Sequence, residues 1–185
     1  MQSFQDHFLI AMPSLDDPLF KRSVTYVCEH NADGAMGIVI NHPLNVTVGD
    51  LLDQLHIQYD AEAKSSAAKV CAGGPVQHER GFVLHTPKEG YSSSLRLNEQ
   101  LMVTTSKDIL LELTTEAAPE KFLLALGYAG WTAGQLEQEM TDNSWLLIPA
   151  DNAIIFDLSH AEKWQSATAK MGIKTWQLTN EAGHA

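Results

Sequence analysis

The chain has 185 residues, of which 44% are hydrophobic, enough for one domain with a substantial apolar core. Its formal net charge is -11, and among its 12 basic residues only Lys21 and Arg22 are adjacent. Binding along a phosphate backbone needs clustered basic side chains, so the composition argues against non-specific binding to nucleic acid or to an anionic membrane surface.

The first forty residues predict three short strands. Residues 8–11 are apolar, and residues 23–28 are β-branched and aromatic, which is typical of strands. A turn signature at residues 29–34 precedes a further strand at residues 35–40, so we expect a β-hairpin. Gly37, inside the second strand of that hairpin, predicts a bulge or a close backbone approach.

A helix is expected after Thr47, which is a suitable N-cap with Asp50 as its reciprocal partner. Val48, Leu51 and Leu52 then follow at helical spacing. Residues 60–69 are predicted to form an exposed loop or a frayed helix. Two strands are then predicted, at residues 69–72 and 81–85.

In the second half, Ser106 is predicted to cap a short helix that reaches Leu113. Two capping-box patterns, Thr132 with Gln135 and Ser159 with Glu162, predict the starts of two more helices. The remaining segments are predicted strands at residues 102–105 and 145–148, an apolar stretch without periodicity at 122–128, and an extended segment at 173–176.

Strands occur in pairs more often than in strand–helix–strand alternation. This order favours an α+β fold with a mostly antiparallel sheet. The chain contains no repeat, linker or low-complexity tract, so we expect a single domain over residues 1–185.

Four segments resemble the YqgE/AlgH family: FLIAMPSLDDPLFKRSVTYVCEHNADGAMGIVIN, GGPVQHERGFVLH, ALGYAGWTAGQLEQEM followed by NSWL, and W-x-x-A-x-x-x-x-G-I from Trp164 to Ile173. They span most of the chain in the family's order. The resemblance implies one compact domain with a curved, mostly antiparallel sheet and flanking helices. It implies no established reaction, although some members carry the label of transcriptional regulator.

Metal chemistry is not indicated. No two of the eight histidines lie three to five residues apart, and the pair Cys28 and His30 lacks a third ligand. We therefore predict no metal and no cofactor. Cys28 and Cys71 lie in apolar runs and are interpreted as buried, reduced thiols.

Catalytic and DNA-reading motifs are also weak. There is no G-x-S-x-G motif. Ser106, Asp108 and either His30 or His85 have the residue types of a catalytic triad, but any chain with eight histidines offers such a combination. The carboxylates of Asp16, Asp17, Glu137 and Glu139 are interpreted as solvated. No pair of adjacent amphipathic helices with basic residues on the second indicates a helix-turn-helix.

Some small and polar residues are not demanded by core packing alone. Glycines beside a large aromatic side chain allow close approach, which is consistent with a concave ligand site. The competing interpretation is a set of structural turns and a core tryptophan. The candidate binding residues are His30, Asn31, Asn41, Gly73, Gly74, Arg80 and Trp131.

The leading hypothesis is a binding or regulatory module that acts through an unknown protein or small-molecule partner. The alternative is an enzyme with a pocket near His30, Asn31 and Arg80, and direct DNA binding ranks last. Residues 1–13 lack a basic start, and the apolar run at 8–12 is too short for a signal core or a membrane helix. We therefore expect a cytoplasmic protein that does not enter a membrane.

Overall fold

A computed structural model describes residues 2–172 of the chain. Within them lie ten strands: β1 (His7–Ala11), β2 (Val24–Asn31), β3 (Gly34–Val39), β4 (Pro43–Thr47), β5 (Lys69–Ala72), β6 (Val76–His85), β7 (Ser94–Asn98), β8 (Leu101–Thr104), β9 (Phe122–Thr132) and β10 (Trp145–Pro149). The helices are α1 (Val48–Gln54), α2 (Gln135–Thr141), α3 (Asn152–Phe156) and α4 (His160–Ala169), with two 3₁₀-helices, η1 (Lys64–Ala67) and η2 (Lys107–Leu111).

The chain divides into two compact units. Of the described residues, 2–41 and 129–172 form the first unit, and 42–128 form the second. Strand β9 crosses the boundary, so its two parts belong to different units. The single domain over residues 1–185 stays a prediction.

The strands of the first unit follow the order β10-β1-β2-β3-β9, and every neighbouring pair is antiparallel. The β2–β3 hairpin predicted from the turn signature is confirmed. The close backbone approach predicted at Gly37 is confirmed too, because an added Cβ would lie 3.0 Å from the carbonyl oxygen of Tyr26, and 2.7 Å from Cγ2 of Thr25. The pairing of β2 with β3 shifts register between Val27 and Glu29, which places a bulge beside this contact.

In the second unit, β7, β8, β6 and the first part of β9 form a continuous antiparallel series. Strand β5 runs parallel to β9 and also pairs with β4. An α+β fold with mostly antiparallel pairing is therefore confirmed. The core of this unit packs α1 on the sheet through Leu52, Val83 and Leu124, which are at most 2% exposed.

Helix α1 is capped as predicted. The Asp50 N–H donates to Thr47 Oγ1 at 3.1 Å, and the Thr47 N–H donates to Asp50 Oδ2 at 2.9 Å. The capping box at the start of α4 is also confirmed, with Glu162 Oε2 accepting from the Ser159 N–H at 3.2 Å and its hydroxyl at 2.7 Å.

The predicted cap at Thr132 is wrong, because helix α2 begins after Gly134, whose φ is 77°, and Thr132 is instead the last residue of β9. Ser106 is the N-cap residue of η2 as predicted, but this 3₁₀-helix ends at Leu111 and the Ser106 side chain makes no hydrogen bond to its backbone. The Ser106 hydroxyl donates to Asp108 Oδ1 at 2.5 Å. The extended segment predicted at residues 173–176 lies outside the described residues.

Both cysteines are buried. Burial raises the pKa of the Cys28 thiol to about 12, since a thiolate would lose its hydration there, and the nearby Glu29 carboxylate acts in the same direction. Among residues 2–172, no helix combines the length and apolar character needed to cross a bilayer.

Candidate functional site

A cavity of about 270 Å³ lies within the second unit. Its walls come from α1, from β6 and β9, and from the segment that joins β8 to η2. Side chains alternate between the two faces of a strand, so Gly81 and Val83 of β6 reach the same face of the sheet. Leu51 of helix α1 and Leu55, the residue after its end, cover that face.

The base of the cavity is apolar. Val83, Ile109 and Leu124 are at most 2% exposed, whereas Leu55 is 36% exposed. Gly81 leaves part of the wall without a side chain, because the nearest atom to an added Cβ would be Leu124 Cδ1 at 3.8 Å. A methyl group at this position would therefore make an ordinary van der Waals contact and no clash.

The polar part of the wall is supplied by Glu79, Thr105, Ser106 and Lys107. Glu79 and Lys107 are exposed, and neither forms an ion pair or side-chain hydrogen bond within the part of the chain that the structure describes. A ligand in the cavity would therefore meet an apolar base and one charge of each sign.

Three of the predicted binding residues, Gly73, Gly74 and Arg80, belong to the second unit. The Gly73 N–H donates to the carbonyl of Leu126 at 2.8 Å, and an added Cβ would lie 2.2 Å from the Gly127 oxygen. Gly74 is part of the same contact, because its carbonyl would lie 2.5 Å from a Cβ on Gly127. This glycine turn accounts for close packing between backbones.

Arg80 is exposed and near the cavity wall. Its Nη2 lies 3.4 Å from Oγ1 of Thr105, and its guanidinium carbon lies 5.5 Å from the centre of the Phe82 ring. Arg80 thus contacts the cavity wall through its side chain, whereas Gly73 contacts the wall residue Leu126 through its backbone.

His30 belongs to the first unit and is 5% exposed. Its Nδ1 accepts the Phe4 N–H at 2.9 Å, so the neutral ring carries its proton on Nε2, which donates to Glu137 Oε1 at 2.8 Å. The Phe4 ring stacks on the imidazole with centroids 4.7 Å apart. Both ring nitrogens are therefore engaged in fixing residue 4 and α2 to β2.

Trp131, also in the first unit, is 7% exposed and contacts Phe20 and Trp145. Its Nε1 donates to Glu139 Oε2 at 2.9 Å, and the same oxygen accepts from Trp145 Nε1 at 2.8 Å. The interpretation of Glu137 and Glu139 as ordinary solvated carboxylates is wrong, since each accepts hydrogen bonds from buried side chains. The pKa of Glu137 lies below its usual value, chiefly through its own backbone N–H and then through His30.

The two predicted asparagines also make backbone contacts in the first unit. Asn41 accepts the Val24 N–H at 2.8 Å and donates to the carbonyl of Arg22 at 2.9 Å. Asn31 accepts the Asp33 N–H at 2.8 Å, which closes the β2–β3 turn. The structure thus divides the seven predicted residues between the two units, and their role in binding stays a prediction.

The residues of the cavity wall were not predicted from the sequence as site residues. One signal was available, because Gly81 interrupts a strand as Gly37 does, and such a glycine often marks a close approach or an open space. Leu55 and Lys107 carried no comparable signal, since each occupies an ordinary position in or beside a helix.

Comparison with known proteins places this architecture in context. The profile of the AlgH-like family matches residues 8–176. A UPF0301 protein of Pseudoalteromonas translucida strain TAC 125 is 58% identical over 100% of both chains. A UPF0301 protein of Vibrio cholerae is 54% identical over 97% of this chain and 98% of its own.

Two solved structures are also similar. The solution structure of the AlgH protein from Pseudomonas aeruginosa has 47% identity and a TM-score of 0.80, with 100% of both chains covered. A crystal structure of a Corynebacterium diphtheriae protein has 20% identity and a TM-score of 0.73, covering 92% of this chain and 88% of its own, which is a likeness of fold alone.

Proposed function

The chain belongs to the AlgH-like family, and from that premise we propose that it is a cytoplasmic binding or regulatory module whose cavity receives an apolar group of a small-molecule or protein partner. The names of its relatives specify no reaction and no ligand. The proposal therefore rests on the site. The cavity in the second unit is the single observation that carries it.

The cavity suits binding because its wall is already formed. Apolar surface at its base lies beside exposed polar groups, the usual composition of a ligand pocket. Its volume of about 270 Å³ suits one aliphatic or aromatic group better than a large cofactor. Placing such a group there would remove apolar surface of both partners from water.

Gly81 allows a direct test. The substitution Gly81→Phe projects a ring from the face of β6 that forms the wall and should fill the cavity, whereas Gly81→Ala adds one methyl group in ordinary contact with Leu124. We expect Gly81→Phe to weaken binding of an uncharged apolar dye at least about tenfold, equivalent to 1.4 kcal/mol. Gly81→Ala should bind nearly as the unsubstituted protein does.

Dye fluorescence titrations provide the affinities, and circular dichroism establishes that both variants remain folded. Equal dye affinity in folded Gly81→Phe and Gly81→Ala would contradict the proposal. Chemical-shift mapping of the unsubstituted protein should place the dye beside Val83 and Leu124.

The enzyme hypothesis centred on His30, Asn31 and Arg80 has less support. Both ring nitrogens of His30 are bonded within the protein, and the Asn31 side chain closes a turn. Direct DNA binding still ranks last because of the net charge of -11, and the absence of non-specific nucleic-acid binding stays a prediction.

A further inference from the structure

Three side chains form a hydrogen-bonded series across neighbouring strands of the second unit. His85 of β6 has its Nε2 2.7 Å from Oγ1 of Thr104 on β8. That hydroxyl lies 2.6 Å from Oγ of Ser94 on β7. On the other side of the ring, Nδ1 of His85 lies 2.8 Å from the carbonyl oxygen of Thr86.

The protons in this series have one arrangement when His85 is neutral. The Thr86 carbonyl can only accept, so Nδ1 of His85 must carry the ring proton. Nε2 is then an acceptor, and the Thr104 hydroxyl must donate to it. Because the Thr104 hydroxyl already donates its proton to Nε2, the Ser94 hydroxyl must donate to the Thr104 oxygen. The series therefore runs from Ser94 through Thr104 to a basic nitrogen.

The surroundings of His85 keep its imidazole neutral. The residue is 0% exposed, and burial is the main reason that its pKa lies below 6.5. The titratable groups near it are Lys88, Glu89 and Tyr91, while β8 and β9 place Met102 and Phe122 opposite it. His85 is thus available as a base near neutral pH.

Ser94, unlike the other two, is accessible. Its residue is exposed, and β7 pairs with β8 alone among the strands that the structure describes. The Thr105 N–H donates to the carbonyl of Ser93 at 2.9 Å, so the next pair, Ser94 opposite Thr104, is a non-hydrogen-bonded pair. Such pairs bring side chains close together, which explains the short contact between the two hydroxyls.

The same alternation fixes the direction of the Ser94 backbone. Since Ser93 directs its carbonyl to β8, the Ser94 N–H points away from β8, toward the open side of β7. A backbone N–H therefore lies beside the exposed hydroxyl. An N–H in that position can stabilise an oxyanion formed when the hydroxyl attacks a carbonyl carbon.

We propose that Ser94 is a catalytic nucleophile that takes an acyl group from a small carboxylic ester, with Thr104 and His85 as the residues that carry its proton. The Ser94 oxygen bonds to the ester carbonyl carbon while its proton passes to Thr104, and the Thr104 proton passes to Nε2 of His85. Collapse of the oxyanion breaks the bond to the leaving alkoxide, which takes a proton from Thr104 while Nε2 of His85 returns one to Thr104, because the acylated Ser94 oxygen can no longer carry a proton. Water then gives a proton to Thr104, and through it to His85, as the water oxygen bonds to the carbonyl carbon of acyl-Ser94. Collapse of this second oxyanion releases the carboxylic acid, and Ser94 regains its proton from Thr104.

The test uses p-nitrophenyl acetate with the full-length protein, acid quenching and peptide mapping by mass spectrometry. Ser92 and Ser93 are internal controls, because both are exposed and neither contacts a histidine in the described structure. We expect acetylation of Ser94 at least about tenfold faster than at either neighbour, a lower bound set beneath the roughly hundredfold or greater contribution of general-base catalysis. Equal labelling of the three serines would overturn the proposal.

A matched pair at Thr104 separates proton transfer from packing. Thr104→Val removes the hydroxyl at similar volume, and Thr104→Ser retains it. We expect Thr104→Val to lower Ser94 acetylation at least about tenfold and Thr104→Ser to lower it far less. The rate should also rise with pH as His85 loses its proton, with a midpoint below 6.5, and this dependence should disappear in Thr104→Val. A folded Thr104→Val protein that labels at the original rate and with the original pH dependence would contradict the proton path.

Discussion

At the scale of single residues, Glu139 has a structural role that its position on the exposed helix α2 does not suggest. One carboxylate oxygen, Oε2, accepts the indole N–H of both Trp131 and Trp145, and the other accepts from Gln135 Nε2 at 3.0 Å. Both tryptophans are buried, so their N–H groups have exchanged water for this carboxylate. A single side chain thereby accepts hydrogen bonds from tryptophans of two strands, β9 and β10.

A comparison of Glu139→Gln with Glu139→Leu tests that role. The glutamine variant would keep a carbonyl oxygen that can accept both indole protons, so we expect a loss of less than about 1.5 kcal/mol. The leucine variant would leave two buried donors unpaired and should lower the free energy of unfolding by at least about 2 kcal/mol. Urea unfolding followed by tryptophan fluorescence measures both. Equal losses in the two variants would show that the carboxylate oxygens contribute little.

At the scale of secondary-structure elements, local sequence predicted those elements whose signal is local. Strands β1, β2 and β3 have β-branched or apolar runs with a turn between them, and all three were predictable. Strands β4 and β7 were missed although PLNVT and SLRLN alternate polar and apolar residues, because each segment has only two apolar side chains. Pairing with β5 and β8 stabilises them as strands.

The two capping-box patterns in the C-terminal half show why residue spacing alone is insufficient to predict where a helix begins. The N–H and hydroxyl of Ser159 donate to Glu162, and those of Thr132 donate in the same way to Gln135 Oε1, at 3.0 and 3.3 Å. Ser159 nevertheless precedes α4 directly, whereas Thr132 remains in β9. Pairing of Thr132 with Gly34 extends the strand through that residue. The helix start is therefore displaced to Gln135 by a long-range contact that no local pattern encodes.

This difference predicts unequal effects of the same truncation. Ser159→Ala removes a cap and should destabilise the protein by about 1 kcal/mol, within a range of roughly 0.5–2 kcal/mol. Thr132→Ala removes an exposed side chain that is not a cap and should change stability by less than about 0.5 kcal/mol. Denaturant midpoints at constant slope measure both. If Thr132→Ala lowered the free energy of unfolding more than Ser159→Ala does, Thr132 would have to be reassigned as the N-cap of α2.

The candidate site was less predictable than the fold for the same reason. Its wall combines Leu55, Gly81, Ser106 and Leu126, which are far apart in sequence and chemically ordinary. The residues that did attract attention, such as His30 and Asn41, have conspicuous polar groups that make specific contacts within the protein. The series from Ser94 to His85 was also hidden, because it depends on the register of β7 with β8.

At the scale of the whole molecule, the buried histidines should set the response to mild acid. Burial is the main cause that lowers the pKa of both His85 and His160 below 6.5. The unfolded chain therefore binds more protons than the folded protein just below that pH, so stability is full above about 6.5 and declines as pH falls toward the folded-state values. Carboxylates with lowered pKa, such as Glu112 and Asp151, add a second decline below their ordinary values of 4.5 and 3.8.

We expect the urea midpoint to be lower at about pH 5.5 than at about pH 7.5, with a further fall below about pH 4.5. His160→Gln is a suitable variant because that residue is only half-buried. This variant should show a smaller change in urea midpoint between about pH 7.5 and pH 5.5, and its decline below about pH 4.5 should be unaltered. A midpoint that is constant from about pH 7.5 to pH 5.5 would contradict the assignment to histidine.

Strand β9 has a consequence for synthesis on the ribosome. Residues 42–128 form one continuous unit, whereas β3 cannot meet β9 until residues 129–132 have been translated, and β1 must wait for β10. At roughly 5–20 residues per second, the β2–β3 hairpin emerges on the order of 10 s before these partners. During that interval the edges of β1 and β3 are unpaired in the nascent chain, so this is the period in which chaperone protection would matter most.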